Sequence, residues 1–205
     1  MASSDIDIAS QALGLLRADT ISSFDDGTNE ADISNLYYAD FAQDILTRHP
    51  WTFVKKKRRL NQTTAPLNEY KYAHIVPAET LRIWALYNSG AVGAKPINTF
   101  DLVGPNGSRE IHSNNAELWG EYTVYSDESN WPAYFTHFAI HAFAALIAGP
   151  VTDDDDLTSK MHRLAWGTPD QGEKGGKFSV ATGIDSQQTP PNEILSSPFI
   201  DARFS

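Results

Sequence analysis

The stretch from Pro132 to Pro150 constrains this chain more than any other. Residues 134–148, YFTHFAIHAFAALIA, read as a helix that is apolar nearly all round. A soluble chain can keep such a helix only by surrounding it with other elements. Its longest apolar run, Phe138 to Ala148, contains His141 and is shorter than the roughly 20 residues that cross a bilayer, so a buried helix is expected. Pro132 suits its first turn and Gly149-Pro150 its end. The rest of the sequence must supply the cover.

Two amphipathic helices precede it. Over residues 5–17, Ser3 or Ser4 can cap, and Asp5 and Asp7 suit the positive end of the helix dipole. Ile8, Ala9, Ala12, Leu13 and Leu16 make one apolar stripe. After the turn ISSFDDGTNE, Thr28 can cap a longer helix running to about Arg48, where Pro50 disfavours its continuation. Ile33, Leu36, Tyr37, Phe41 and Ile45 recur at helical spacing. They are expected to pack against Phe135, Phe138, Ala142, Phe143 and Leu146. A fourth helix is expected from Thr152, with Asp153 to Asp156 in its first turn.

Between the helical regions the pattern changes. WTFVKKKRRL, LRIWALYNSG, KPINTFDLV, REIHS and LWGEYTVYS are rich in β-branched and aromatic residues, with Gly, Asn and Pro between them. One antiparallel sheet is the simplest pairing, with Pro105-Asn106-Gly107 as a hairpin turn. The run GTPDQGEKGGKF is full of helix breakers, and Pro190, Pro191 and Pro198 follow. The expected fold class is α+β. An antiparallel bundle of about four helices spans residues 1–50 and 131–170, with an inserted antiparallel β domain at 51–130 and an extended C-terminal arm at 171–205.

Composition limits the chemistry. There is no cysteine, which removes disulfides, thiolate metal sites and cysteine nucleophiles. With 41% apolar and 20% charged residues the chain can bury a core. A net charge of −10 opposes a nucleic-acid grip, which needs basic side chains to displace counterions. The acid is concentrated: residues 1–50 hold nine Asp or Glu against Arg17 and Arg48. The start has acids where a signal peptide carries positive charge, so a cytoplasmic protein without membrane insertion is expected.

Three clusters invite a chemical reading. His137 and His141, four apart on a helix, could chelate a metal, but Phe138 stands where a zinc protease carries its general base. VTDDDDLTSKM lacks the alternating ligands, glycine and closing Glu of a calcium loop. Lys55 to Arg59 is the one basic cluster, and on a strand Lys55, Lys57 and Arg59 share a face, a candidate contact for another subunit or partner. No P-loop, dinucleotide fingerprint or nucleophile elbow is present. No metal, cofactor or catalytic residue is assigned. An enzyme using His137, His141 and nearby carboxylates is the alternative from another class.

Several motifs stand in a telling order. Leu13-Gly14 is followed by Ile21, Ser22, Ser23, Asp25 and Asp26, then by Arg48, His49, Pro50, Trp51 and Phe53. Tyr72, Pro77 and Leu81-Arg82-Ile83 come next, then the Pro132–Ala148 helix and the ending IDSQQTPPNEILSSPFIDAR. Together they resemble the tail tubular protein A family, the head-to-tail adaptors of short-tailed phages. The resemblance covers residues 5–90 well, 131–165 fairly and 91–130 only in type, and GTPDQGEKGGK departs from it.

The resemblance implies a non-enzymatic virion protein at the head-tail junction, assembled in the host cytoplasm. It further implies a ring, a dodecamer, beneath the portal protein. Such a ring joins the portal to the tail or nozzle protein and leaves a channel through which DNA passes. A head-completion or tail-terminator protein is the related alternative. The arm, with Ile194, Leu195, Phe199, Ile200, Arg203 and Phe204 as its contacts, is expected to dock on the portal.

Overall fold

The computed structural model describes residues 4–64, 69–91, 93–104, 109–172 and 174–188. It is a mixed α+β fold with antiparallel sheets. Among the described residues there are five α-helices, one more than the sequence suggests.

The first helix, α1, spans Asp5–Leu15 and α2 spans Asn29–Thr47. Ser4 and Asp7 form a reciprocal capping box on α1, and the Thr28 hydroxyl accepts from the Ala31 N–H at the start of α2. The α1 stripe is buried as expected, from Ile8 to Leu16. The α2 stripe is not. Phe41 and Ile45 are buried, but Leu36 is 71% exposed and Tyr37 is 37% exposed. The inward face carries Ala31, Ser34, Tyr38, Phe41, Ala42, Ile45 and Leu46 instead. Small Ala and Ser residues on that face give the apolar periodicity little weight, so the expected stripe was phased about one residue away from the true one.

Helix α3, Ala133–Thr152, is the element that the others cover: α1, α2, α4 and α5 all pack on it. It is long and apolar enough to cross a membrane by length and composition, and 61% of that window is buried inside the protein. Pro150 does not stop it. The missing N–H falls in the final turn, where the helix has only Val151 and Thr152 left to run. The Thr152 hydroxyl donates to the Ala148 carbonyl, and Asp153 ends the helix in the left-handed conformation, φ 50°. The fourth helix therefore starts later than expected. Helix α4 is Asp155–Trp166, and its cap is Asp154, whose carboxylate accepts from the Leu157 N–H. Leu146, expected in the core, is 46% exposed.

The run expected to begin an extended arm instead makes a turn and then a helix, α5, Gly176–Gln187. Gly167 and Gly176 both have positive φ, and the Gly175 N–H donates to the Trp166 carbonyl. The breakers thus reverse the chain so that α5 lies against α3 and α4 with Phe178 and Ala181 buried. The arm residues Ile194, Leu195, Phe199, Ile200, Arg203 and Phe204 lie outside the described residues, as does Pro105-Asn106-Gly107.

The strands are β1 Lys55–Arg59, β2 Asn61–Gln62, β3 Tyr72–Ile75, β4 Thr80–Tyr87, β5 Asp101–Val103, β6 Glu110–Ser113 and β7 Trp119–Val124. They form two antiparallel sheets, β1-β7-β4 and β2-β3-β6-β5, where a single sheet was the simpler expectation. The chain changes sheet at Leu60, whose N–H donates to the Leu118 carbonyl between β1 and β2. Strands β2 and β3, two and four residues long, are too short to announce themselves. A small core of Leu60, Val76, Leu86, Ile111, Leu118, Tyr122 and Val124 holds the sheets together.

Candidate docking surface

The segment RHPWTF turns the chain from α2 into β1, and its side chains join three helices. Trp51 is fully buried, donates its indole N–H to the Ile45 carbonyl and meets Phe135 edge-on at 4.8 Å. It also touches Phe138 and Phe178, so α2, α3 and α5 share one indole. Phe53 packs on Phe135. In the other motif, the Asp26 carboxylate accepts from the backbone N–H groups of Ser22 and Ser23 and from the Ser22 hydroxyl. Those bonds hold the Asp26 carboxyl below the usual carboxylate range. Ile21 is buried. Both motifs are packing and turn devices.

Sequence reasoning missed the residue that closes this corner. Asp185 on α5 is 1% exposed and accepts from the Thr52 N–H, the Thr52 hydroxyl at 2.7 Å and the Tyr134 hydroxyl at 2.6 Å. His49 Nε2 lies 3.6 Å from the same carboxylate. Burial pushes the His49 pKa down, with Asp185 opposing. Burial, the hydrogen bond to Asp185 and its charge push Tyr134 up to about 12. A lone Asp in a stretch full of breakers carries no sequence signal that a helix will bury it. The cluster fastens α5 to the start of the sheets.

The basic strand distributes its charge among in-chain partners. Lys55 pairs with Glu121 at 3.4 Å, Arg59 with Glu117 at 3.0 Å, and the Lys57 ammonium sits 4.0 Å from the Tyr87 ring centroid. On the opposite face Lys56 pairs with Glu79. His137 and His141 stack at 5.6 Å, and His141 Nδ1 lies 2.8 Å from the His137 carbonyl, which turns that nitrogen toward the helix. Burial lowers the His141 pKa, opposed by the hydrogen bond with the His137 carbonyl and aided by the charge of Lys177. Among the described residues no group of three or more His, Cys, Asp or Glu could hold a metal ion. Of the four consecutive Asp residues, one ends α3, one caps α4 and two lie in the first turn of α4.

A shallow groove of about 440 Å³ lies between α2, α3 and α4. Tyr37, Phe41, Ala142, Ala145, Leu146 and Trp166 make its apolar lining, with Asp40, Asp44, Arg48 and His162 along its rim. Arg48 is fixed there by Asp44 at 2.8 Å and by the Trp166 ring, 4.7 Å from the ring centroid. Two of the side chains that the sequence assigns to the core, Tyr37 and Leu146, are therefore the lining of a surface groove. Leu36 is exposed on the same helix. A second exposed apolar pair, Val180 and Ile184, lies one turn apart on α5. Compared with known proteins, the chain matches no family model and no curated protein sequence.

Proposed function

We propose that this chain is a head-to-tail adaptor, a virion structural protein that forms a ring beneath a portal protein and joins it to the tail. The observation that carries this reading is the amount of apolar side chain left in solvent on the helices. Leu36, Tyr37, Leu146, Leu164, Val180 and Ile184 are exposed on four of them, including the core helix itself. Single exposed apolar residues are ordinary, but an apolar groove and a paired helix face are the surfaces that subunits bury against one another. The motifs that resemble the adaptor family support the same reading through their role as fixtures of the helical core.

In this reading α1 to α4 form a bundle that carries residues 51–130 as an insertion, with α5 closing it. The residues Ile194, Leu195, Phe199, Ile200, Arg203 and Phe204 dock on the portal. Lys55, Lys57 and Arg59 are a contact for a neighbouring subunit or the nozzle protein, their in-chain partners being replaced on assembly. The excess of acid over base suits a channel that must let DNA slide without holding it. Electron microscopy of the chain mixed with the portal of the same virus tests the proposal. A ring of the chain on the portal is the expected image. A chain that stays off the portal, with metal-dependent hydrolysis that disappears on replacing both His137 and His141 by Ala, overturns it in favour of an enzyme.

A further inference from the structure

We infer that the pocket where α1, α2 and the turn after β7 meet binds a guanidinium group carried by another molecule. The inference stands apart from the adaptor reading, because it concerns one site on a single chain. The pocket holds about 280 Å³, and Asp5, Phe24, Asn35, Tyr38, Tyr125 and Glu128 line it. These residues come from α1, the turn before α2, α2 itself and the segment between β7 and α3, so only the folded chain brings them together.

Two of its groups lack what burial ordinarily requires. Glu128, in the short 3-10 turn Glu128–Asn130, is only 9% exposed. A buried carboxylate is ordinarily paired, yet among the described residues no basic side chain forms an ion pair with Glu128 or with Asp5. Burial raises the Glu128 carboxyl, and Asp5 and Asp127 add repulsion. The Tyr38 hydroxyl, on a residue 5% exposed, has no hydrogen-bond partner among the described residues. It lies close enough to Glu128 and Asp5 that, after burial, their charges push its pKa up. The pocket therefore has an uncompensated negative charge and an unused hydroxyl oxygen side by side.

One kind of group meets both demands. It carries positive charge for Glu128 and donates an N–H to the Tyr38 oxygen. Water would satisfy Tyr38 alone. A divalent metal fits poorly, since calcium takes about six to eight oxygen ligands and no group of three or more His, Cys, Asp or Glu stands together among the described residues. The other walls are aromatic: the Phe24 and Tyr38 rings are 5.6 Å apart between centroids, and Tyr125 is 46% exposed. A planar guanidinium stacks on such rings and can bind a carboxylate through two N–H groups. It is also more weakly hydrated than an ammonium, so it gives up less on leaving water.

The test is calorimetric titration of the full chain with n-butylguanidinium chloride at neutral pH. Saturable binding of one molecule per chain is expected, with a dissociation constant on the order of 1 mM. Glu128→Gln should weaken it by about tenfold or more, and Tyr125→Leu by about threefold. Glu128→Gln relieves a buried charge, so its melting curve will separate lost binding from lost fold. Asp19→Asn removes one charge from an exposed position and should leave binding unchanged. The ammonium counterpart, n-butylammonium, should bind several-fold more weakly. N-acetylarginine methylamide is the second guanidinium probe. Binding as tight as that of n-butylguanidinium identifies a protein side chain as the ligand, and weaker binding identifies a small free guanidine. Heat that does not saturate overturns the inference, as do equal losses in Glu128→Gln and Asp19→Asn or equal binding of the ammonium. Portal binding is read on a separate sample, so failure here leaves the adaptor proposal standing, and the reverse.

Discussion

The helical and sheet regions of this protein are held together in different ways. The helical core is large and aromatic, with Trp51, Phe135, Phe138, Trp166 and Phe178 in one chain of ring contacts and Tyr38, Phe41 and Phe143 in another. The sheet core is a handful of aliphatic residues and Tyr122, and buried beside it lie the polar side chains His74, Thr80, His112, Ser113 and Thr123. Among the described residues, His74 Nδ1 and the Thr80 hydroxyl lack a hydrogen-bond partner, as do the Ser34 and Tyr38 hydroxyls on α2. A buried polar group without a partner costs about 1–3 kcal/mol, and the sheets set that cost against a much smaller apolar core than the helices do. Rigidity should therefore be unequal. The helices set the frame, and the sheets are the part that should open first under denaturant.

The sharpest way to break that contrast is to empty the helical core. Phe138→Ala removes a ring that touches Trp51, Trp166 and Phe178 and should cost about 3–5 kcal/mol in chemical denaturation. Leu118→Ala, equally buried in the sheet core, should cost about 2–3 kcal/mol, because a smaller core can close around the loss. A larger loss at Leu118 than at Phe138 would reverse the comparison. Next comes the fastening between the regions. Asp185→Ala strips the Thr52 and Tyr134 hydroxyls and the Thr52 N–H of their acceptor and should cost about 1.5–3 kcal/mol, read as a lower melting temperature. Hydrogen exchange should show α5 opening in that variant while β7 stays protected.

Acid tests the same corner. Since the folded-state pKa of His49 lies below its ordinary value, the native state binds fewer protons than the unfolded chain. That contribution is present above the ordinary histidine pKa and is lost as pH falls through the folded value. Glu128 runs the other way. Burial, with Asp5 and Asp127 adding repulsion, raises its carboxyl, so its contribution is present at low pH and falls as pH rises past the ordinary glutamate value. Glu128→Gln should accordingly raise the melting temperature at neutral pH and leave it unchanged in acid. The smallest effect belongs to Leu36→Ser, which should change stability by about 0.5 kcal/mol or less in the free chain. Under the adaptor proposal it should weaken assembly, and a large loss of stability in the free chain would put Leu36 back in the core.

Much of this fold is legible in the sequence, and its failures share a cause. The caps at Ser4 and Thr28, the α1 stripe and the all-round burial of α3 follow from local rules of spacing and hydrogen bonding. The outward phase of Leu36 and Tyr37 does not, because which face of a doubly apolar helix turns inward is decided by its neighbours. Helix α5 is hidden for a related reason. Its glycines break the local pattern, and only contact with Leu164 and Trp166 makes the turn before it useful. A Cβ on Gly176 would come within 2.5 Å of the Leu164 carbonyl oxygen, which no single-sequence pattern can reveal. The groove lined by Tyr37 and Leu146 reads as core for want of the same information.

One consequence of the sheet order concerns growth that must not happen. Strand β1 pairs with β7 on one side and stands at the end of its sheet. An unpaired strand border invites the strand of another molecule, and repeated addition ends in a fibre. Here that border is Lys55, Lys56, Lys57, Arg58 and Arg59, and a second copy laid alongside would bring like charges face to face. Five consecutive positive charges thus close this border of the three-stranded sheet to stacking.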